Sequence, residues 1–231
     1  MKKLICFDFD GTMVNSWPPY EDLATRYTKE MKLPKLCLDT LRVGYGYPRE
    51  HQFWEGLEPD DQHFHLHQMF KINDDPEHPL CSNLMPHPFD NVLDTLDNLK
   101  VDGYTLAIVT ARPSYSMKPI VDAHDMEKYF CGQRTMCDIK NRGEKSKPHP
   151  DQLISVMKEL GFSPEETVMV GDTCMDMKMA RAANTYALGV AWGNHSENRL
   201  YEEGGAHHVL ENCFSEISNV LNELKAVSKI A

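Results

Sequence analysis

Four apolar runs, at 3–9, 104–110, 167–171 and 186–190, recur along the 231-residue chain with helical patterns between them, and this alternation most restricts the fold. The helical patterns lie at 88–100, at 150–160 with a Gly161 stop, and at 173–183. Strands covered on both faces read as continuous apolar runs, and parallel strands need crossovers long enough to hold a helix. The expected core is therefore α/β, a parallel sheet with helices on both sides. Shorter strands are expected near 134–137 and 208–210. A closing amphipathic helix over 213–227 carries Phe214, Ile217, Val220, Leu221 and Leu224.

The segment 15–85 departs from this rhythm. Its pieces at 17–31, 35–42, 48–57 and 59–72 read as helices separated by Pro34, by Gly44 and Gly46, and by Pro59. The expected organisation is a core made of 1–14 and 86–231, with 15–85 inserted as a helical cap. An insertion directly after the first strand is expected over the carboxyl ends of the strands, where open α/β sheets bind ligands.

Charge and cysteine usage narrow the function. The chain has 35 acidic against 24 basic residues, a formal charge of -11, and no dense Lys/Arg patch interleaved with aromatics, so a nucleic acid partner is not expected. Seven scattered cysteines without C-x-x-C spacing fit reduced thiols better than a disulfide framework. With no signal-peptide pattern and no stretch of about 18 apolar residues, the expectation is a cytoplasmic protein without membrane association.

The first apolar run ends in Asp8-Phe9-Asp10-Gly11-Thr12. Two carboxylates at the end of a buried strand are costly unless a cation or a reaction uses them. In extended chain Asp8 and Asp10 point the same way, while Gly11 permits a sharp turn that exposes backbone amides. The plainer reading is a strand followed by an Asp-Gly turn. Thr110 closes the second run, and Asp172 follows Gly171 at the end of the third; either residue alone could be a helix cap. Asp176, four residues on, reaches the same side as Asp172 if a helix starts between them. Asp8, Asp10, Asp172 and Asp176 with water would form an all-oxygen site suited to Mg2+. Lys147, in a loop bounded by Pro148 and Pro150, could offset the charge of a phosphoryl group and a carboxylate, with Lys145 its rival.

In this order the stations Asp8-x-Asp10-Gly11-Thr12, Thr110, Lys147-Pro148 and Gly171-Asp172-x-x-x-Asp176 resemble the haloacid-dehalogenase-like superfamily, specifically its phosphoglycolate-phosphatase-like hydrolases with a helical cap. The resemblance implies a Rossmann-like three-layer α/β core and an Mg2+-dependent phosphomonoester hydrolase acting on a small phosphorylated metabolite. Asp8 would attack phosphorus to give an aspartyl-phosphate, and Asp10 would protonate the leaving oxygen and then activate water. Thr110 and Lys147 would hold phosphoryl oxygens. Mg2+ would bind Asp8, the Asp10 carbonyl and Asp172, with Asp176 bound directly or supporting from behind. A β-phosphoglucomutase-like sugar-phosphate mutase and an inorganic pyrophosphatase are neighbouring readings. Outside enzymes, the alternative is a non-catalytic regulatory or interaction protein. A monomer or a homodimer is expected.

Ala111-Arg112-Pro113 places a guanidinium where many relatives carry a smaller polar residue. Arg112 is expected to meet a substrate carboxylate or second phosphate through its planar donor fork; the plain alternative is a structural salt bridge. In the cap, Arg42, Tyr45, Arg49, His51 and Trp54 are candidates for substrate contact, or simply a lobe surface with Trp54 in its core. His63, His65 and His67 are spread apart by a helix rather than gathered for zinc.

Overall fold

The computed structural model describes residues 3–44 and 52–227. In chain order, β1 (Leu4–Phe7) and β2 (Val14–Asn15) precede the helices α1 (Trp17–Glu30), α2 (Leu38–Val43) and α3 (Pro59–Asn73). There follow β3 (His87–Pro88), α4 (Val92–Val101), β4 (Thr105–Val109), α5 (Ser114–Ala123), β5 (Gly132–Arg134), α6 (Met136–Arg142) and α7 (Asp151–Leu160). The chain closes with β6 (Thr167–Gly171), α8 (Cys174–Ala182), β7 (Tyr186–Val190), α9 (Glu197–Glu202), β8 (His208–Leu210) and α10 (Glu216–Val227). It divides into two compact units, one formed by the residues up to Asn15 together with those from Pro88 onward, the other by Ser16–His87.

The larger unit is a six-stranded sheet in the order β5-β4-β1-β6-β7-β8, and every pairing in it is parallel. Alternation along β1 sorts the layers. Ile5 and Phe7 pack with Leu96, Met117, Ile120, Ile217 and Leu221 of α4, α5 and α10. Leu4 and Cys6 face Leu153, Val156, Met177, Ala180 and Leu200 of α7, α8 and α9. This is the three-layer α/β core expected from the apolar runs.

Register then sets the site. Phe7 lies opposite Ile108 on one side and Val170 on the other. Asp8 is thus one residue beyond the paired rung, while Thr110 and Asp172 are two residues beyond it on the flanking strands. Three polar residues distant in sequence leave the sheet at one edge.

In the smaller unit, Tyr20, Leu23, Ala24 and Tyr27 form one apolar stripe of α1 at helical spacing and pack with Leu41, Phe53, Trp54, Leu66, Met69 and Ile72. Trp54 is fully buried there, and its Nε1–H donates to Thr28 Oγ1 at 3.0 Å. That places it in the unit's own core rather than on a binding surface. Arg42 stacks its guanidinium over Trp17. Tyr45, Arg49 and His51 lie outside the described residues.

Some expectations are corrected. The strand expected near 134–137 is Gly132–Arg134, because Thr135 caps the following helix through a reciprocal pair of contacts with Asp138. The described part of the helix expected at 48–57 is not helical, and Trp54 instead forms an isolated antiparallel bridge with Leu36. Helices α5, α6 and α9 lie outside the helical patterns expected from the sequence. Among the described residues no helix is long and apolar enough to cross a membrane.

Leu106 is fully buried on β4, whereas Val101 at the end of α4 is 86% exposed. Leu106→Ala should lower unfolding free energy by about 2–5 kcal/mol in urea titration, and Val101→Ala by less than about 0.5 kcal/mol.

Candidate active site

The β1 strand continues as an acidic turn. The Asp8 amide donates to Val170 O at 2.9 Å, extending the ladder toward β6, and the Gly11 amide donates to Val14 O at 2.8 Å as the chain reverses. Gly11 has a φ of +74°, and a Cβ there would lie 2.3 Å from Asp172 Oδ2. Only glycine satisfies both the left-handed backbone and the close approach. Thr12 Oγ1 donates to Asp172 Oδ1 at 3.1 Å, joining the first and fourth sequence stations directly.

Asp172 is held from its other side as well. The Asn194 amide and side-chain Nδ2 both donate to Asp172 Oδ2, at 2.8 and 2.9 Å. Gly193 packs so tightly against this carboxylate that a Cβ would lie 2.3 Å from Oδ2. Asp176 is fixed by the start of α8, where Thr173 is the N-cap and the two side chains form a capping box. Thr173 Oγ1 donates to Asp176 Oδ2 at 2.6 Å and the Thr173 amide donates to the same oxygen at 3.1 Å. The other oxygen, Oδ1, lies 2.6 Å from Lys147 Nζ.

Lys147 reaches in from the loop between α6 and α7 and bridges two carboxylates. Its Nζ donates to Asp8 Oδ1 at 2.6 Å while pairing with Asp176. One oxygen each from Asp8, Asp172 and Asp176 lie within 4.8 Å of one another, and all three residues are buried.

Burial is the largest influence on Asp8 and pushes its carboxyl up to about 7, although the Lys147 ammonium pulls it back and Asp176 and Asp10 add to the rise. Burial likewise holds Asp172 well above the ordinary carboxylate range, with repulsion from Asp8 and Asp176 in the same direction. For Lys147 burial favours discharge, but the Asp176 and Asp8 carboxylates outweigh it and keep the ammonium charged.

The donor set fits a hard divalent cation: three buried carboxylates converge and one ammonium offsets only part of their charge. The Asp10 carboxylate is not among them. It faces Arg112, whose Nε donates to both of its oxygens at 3.1 and 2.8 Å and whose Nη2 donates to Oδ1 at 2.8 Å. The guanidinium expected to meet a substrate oxyanion is therefore paired here with the second aspartate of the opening turn. Thr110 is buried at the end of β4, its amide donating to Arg134 O at 2.8 Å and its Oγ1 accepting from the Arg112 amide at 3.1 Å.

Sequence reasoning missed two residues. Asn194 holds Asp172 from the loop after β7, where no motif flags it. Gln152, fully buried on α7, donates from Nε2 to Thr110 O at 3.3 Å; its place on the helix's apolar side is the one signal available, since a buried amide needs a partner.

Residues 5–190 match the family model for haloacid dehalogenase-like hydrolases. The chain belongs to this family. Over 232 residues, 99% of this chain and 97% of the relative, it is 28% identical to "Probable phosphatase IndB" of Dickeya dadantii. It is 27% identical over 204 residues to the phosphoglycolate phosphatase of Aliivibrio fischeri, covering 84% of this chain and 87% of that one. Among solved structures, a haloacid dehalogenase-like family hydrolase from Streptococcus pneumoniae superposes with a TM-score of 0.73 at 21% identity, over 95% of this chain and 98% of that one. At that identity the likeness concerns the fold.

The raised carboxyls set a pH dependence. Asp8 and Asp172 titrate higher in the folded protein than in the unfolded chain, so their contribution is fully present below the unfolded value and is lost as pH rises through the folded one, about 7 for Asp8. In metal-free protein, calorimetric Tm should fall between about pH 5 and pH 8. Added divalent cation should raise Tm more at the upper end than at the lower.

Proposed function

We propose that this hydrolase is an Mg2+-dependent phosphomonoesterase that acts on a small phosphorylated metabolite through an aspartyl-phosphate on Asp8. The observation that carries the reading is the arrangement at the sheet edge: a buried carboxylate at the end of β1, 2.6 Å from a fixed ammonium and beside two further buried carboxylates. The full-length relative named as a phosphatase supports it.

An Asp8 oxygen attacks phosphorus, the phosphorus–ester oxygen bond breaks, and the leaving oxygen takes a proton from Asp10. A water then attacks the phosphoryl group and gives a proton to Asp10 as the phosphorus–Asp8 bond breaks. The products are the alcohol and inorganic phosphate, and both aspartates return to their starting states. Lys147 offsets charge on the phosphoryl oxygens and on Asp8, and the Thr110 hydroxyl is a further phosphoryl ligand. Asp8, Asp172, Asp176 and the Asp10 carbonyl would hold Mg2+, which when bound supplies positive charge against the phosphoryl oxygens. We assign the helical unit Ser16–His87 the role of the family's cap, and the chain a cytoplasmic location.

Phosphate release from a panel of small monoesters should require Mg2+ and cease on chelation. Asp10→Asn should lower kcat by about 10²–10⁴-fold, and Asp8→Asn should remove activity. Acid quenching during turnover should leave a phosphoryl mass increment on the Asp8 peptide. Full activity in Asp8→Asn, or a quenched enzyme with no acyl-phosphate under conditions where the second step limits, would refute the covalent route. Isomerisation of a sugar phosphate without net phosphate release would point instead to a mutase.

A further inference from the structure

Gln152 is the one polar residue among the four buried on α7, the others being Leu153, Val156 and Met157. It is fully buried, and an amide in such a place needs a partner. Its Nε2 donates to the carbonyl oxygen of Thr110 at 3.3 Å, immediately beyond the end of β4.

The sheet does not supply this donor. Between β4 and β5 the Cys131 amide donates to Leu106 O at 2.8 Å, and four residues further along both strands the same parallel pattern would have the Thr135 amide donate to Thr110 O. Thr135 is instead the N-cap of α6, and its amide donates to Asp138 Oδ2 at 2.9 Å. Gln152 takes over the donor's place. The Thr110 backbone is thereby held at both polar atoms, its amide donating to Arg134 O at 2.8 Å and its carbonyl accepting from Gln152.

The same turn of α7 also holds the loop that carries Lys147. Asp151, next to Gln152, accepts from the Lys145 amide through Oδ2 at 2.9 Å, and within the loop the His149 amide donates to Ser146 O at 3.0 Å. The start of α7 therefore ties together the two groups assigned to the phosphoryl oxygens, the Lys147 loop through Asp151 and Thr110 through Gln152. One element sets their separation.

Resting on the phosphatase reading above, we propose that Gln152 is a positioning residue for the phosphoryl group: by replacing the ladder donor that the α6 cap withdraws, it fixes Thr110 in register with Lys147. Gln152 makes its contact with the Thr110 backbone and acts through the Thr110 hydroxyl. Losing the Gln152 donor frees the end of β4 to shift against α7, and the hydroxyl shifts with it.

A double-mutant cycle of Gln152→Met and Thr110→Val tests this, in steady-state kinetics with Mg2+ on the panel monoester that the wild type turns over fastest. Gln152→Met keeps the length of the side chain and loses the donor; it should lower kcat/KM by roughly 10- to 100-fold, the scale of a small misplacement of a binding group. In Thr110→Val, which already lacks the hydroxyl, the same substitution should change kcat/KM by less than about twofold. Gln152→Asn, whose amide is one methylene shorter, takes its place in the cycle with the same expected pattern if Gln152→Met does not fold. A loss that persists undiminished in Thr110→Val, no loss in either background, or failure of both Gln152 variants to fold would overturn the proposal and leave a purely structural hydrogen bond. Those results leave the phosphatase reading intact; a wild type that hydrolyses no monoester in the panel would overturn both.

Discussion

One buried ammonium makes the rest of the site tenable. Lys147 lies 2.6 Å from both Asp8 and Asp176, and without it the convergence of those carboxylates with Asp172 would place like charges together away from water. It also ties together parts of the chain that share no local structure: the end of β1, the first turn of α8 and the loop before α7. The compensation is incomplete, since three carboxylates face one ammonium. The remaining negative charge is what a divalent cation would neutralise.

The fold delivers these groups through register. A parallel sheet with β1 between β4 and β6 brings three strand ends to one edge, so residues more than a hundred positions apart emerge side by side. Fine placement is left to small residues and caps. Gly11 and Gly193 let backbone approach the Asp172 carboxylate where a Cβ would collide, and the Thr173 cap points Asp176 inward while starting α8. Supports of this kind hold the Asp172 and Asp176 carboxylates in place beside Asp8.

The core was largely legible because strands covered on both faces are written as unbroken apolar runs. Their polar ends named Asp8, Thr110 and Asp172, and the four-residue spacing to Asp176 matched a helix beginning at Cys174. Less regular elements were harder. Helix α5 carries Pro119 in its interior, a residue that ordinarily argues against helix, and α9 is only six residues long. Thr135 falls within the expected strand because its capping contact with Asp138 is a matter of side-chain geometry. The grip of Arg112 on Asp10 spans 102 positions, and the hold of Asn194 on Asp172 comes from an irregular loop. Such pairings follow from the assembled sheet and leave no periodic mark in the sequence.

The central claim is that the carboxylates around Lys147 exchange protons for a divalent cation. It is tested most directly by calorimetric titration of Mg2+ into metal-free protein near pH 6.5, in two buffers of different ionisation enthalpy. The account predicts saturable binding whose heat depends on the buffer, because protons leave Asp8 and Asp172 as the cation enters. Absence of saturable binding, or heats that are the same in both buffers, would contradict it.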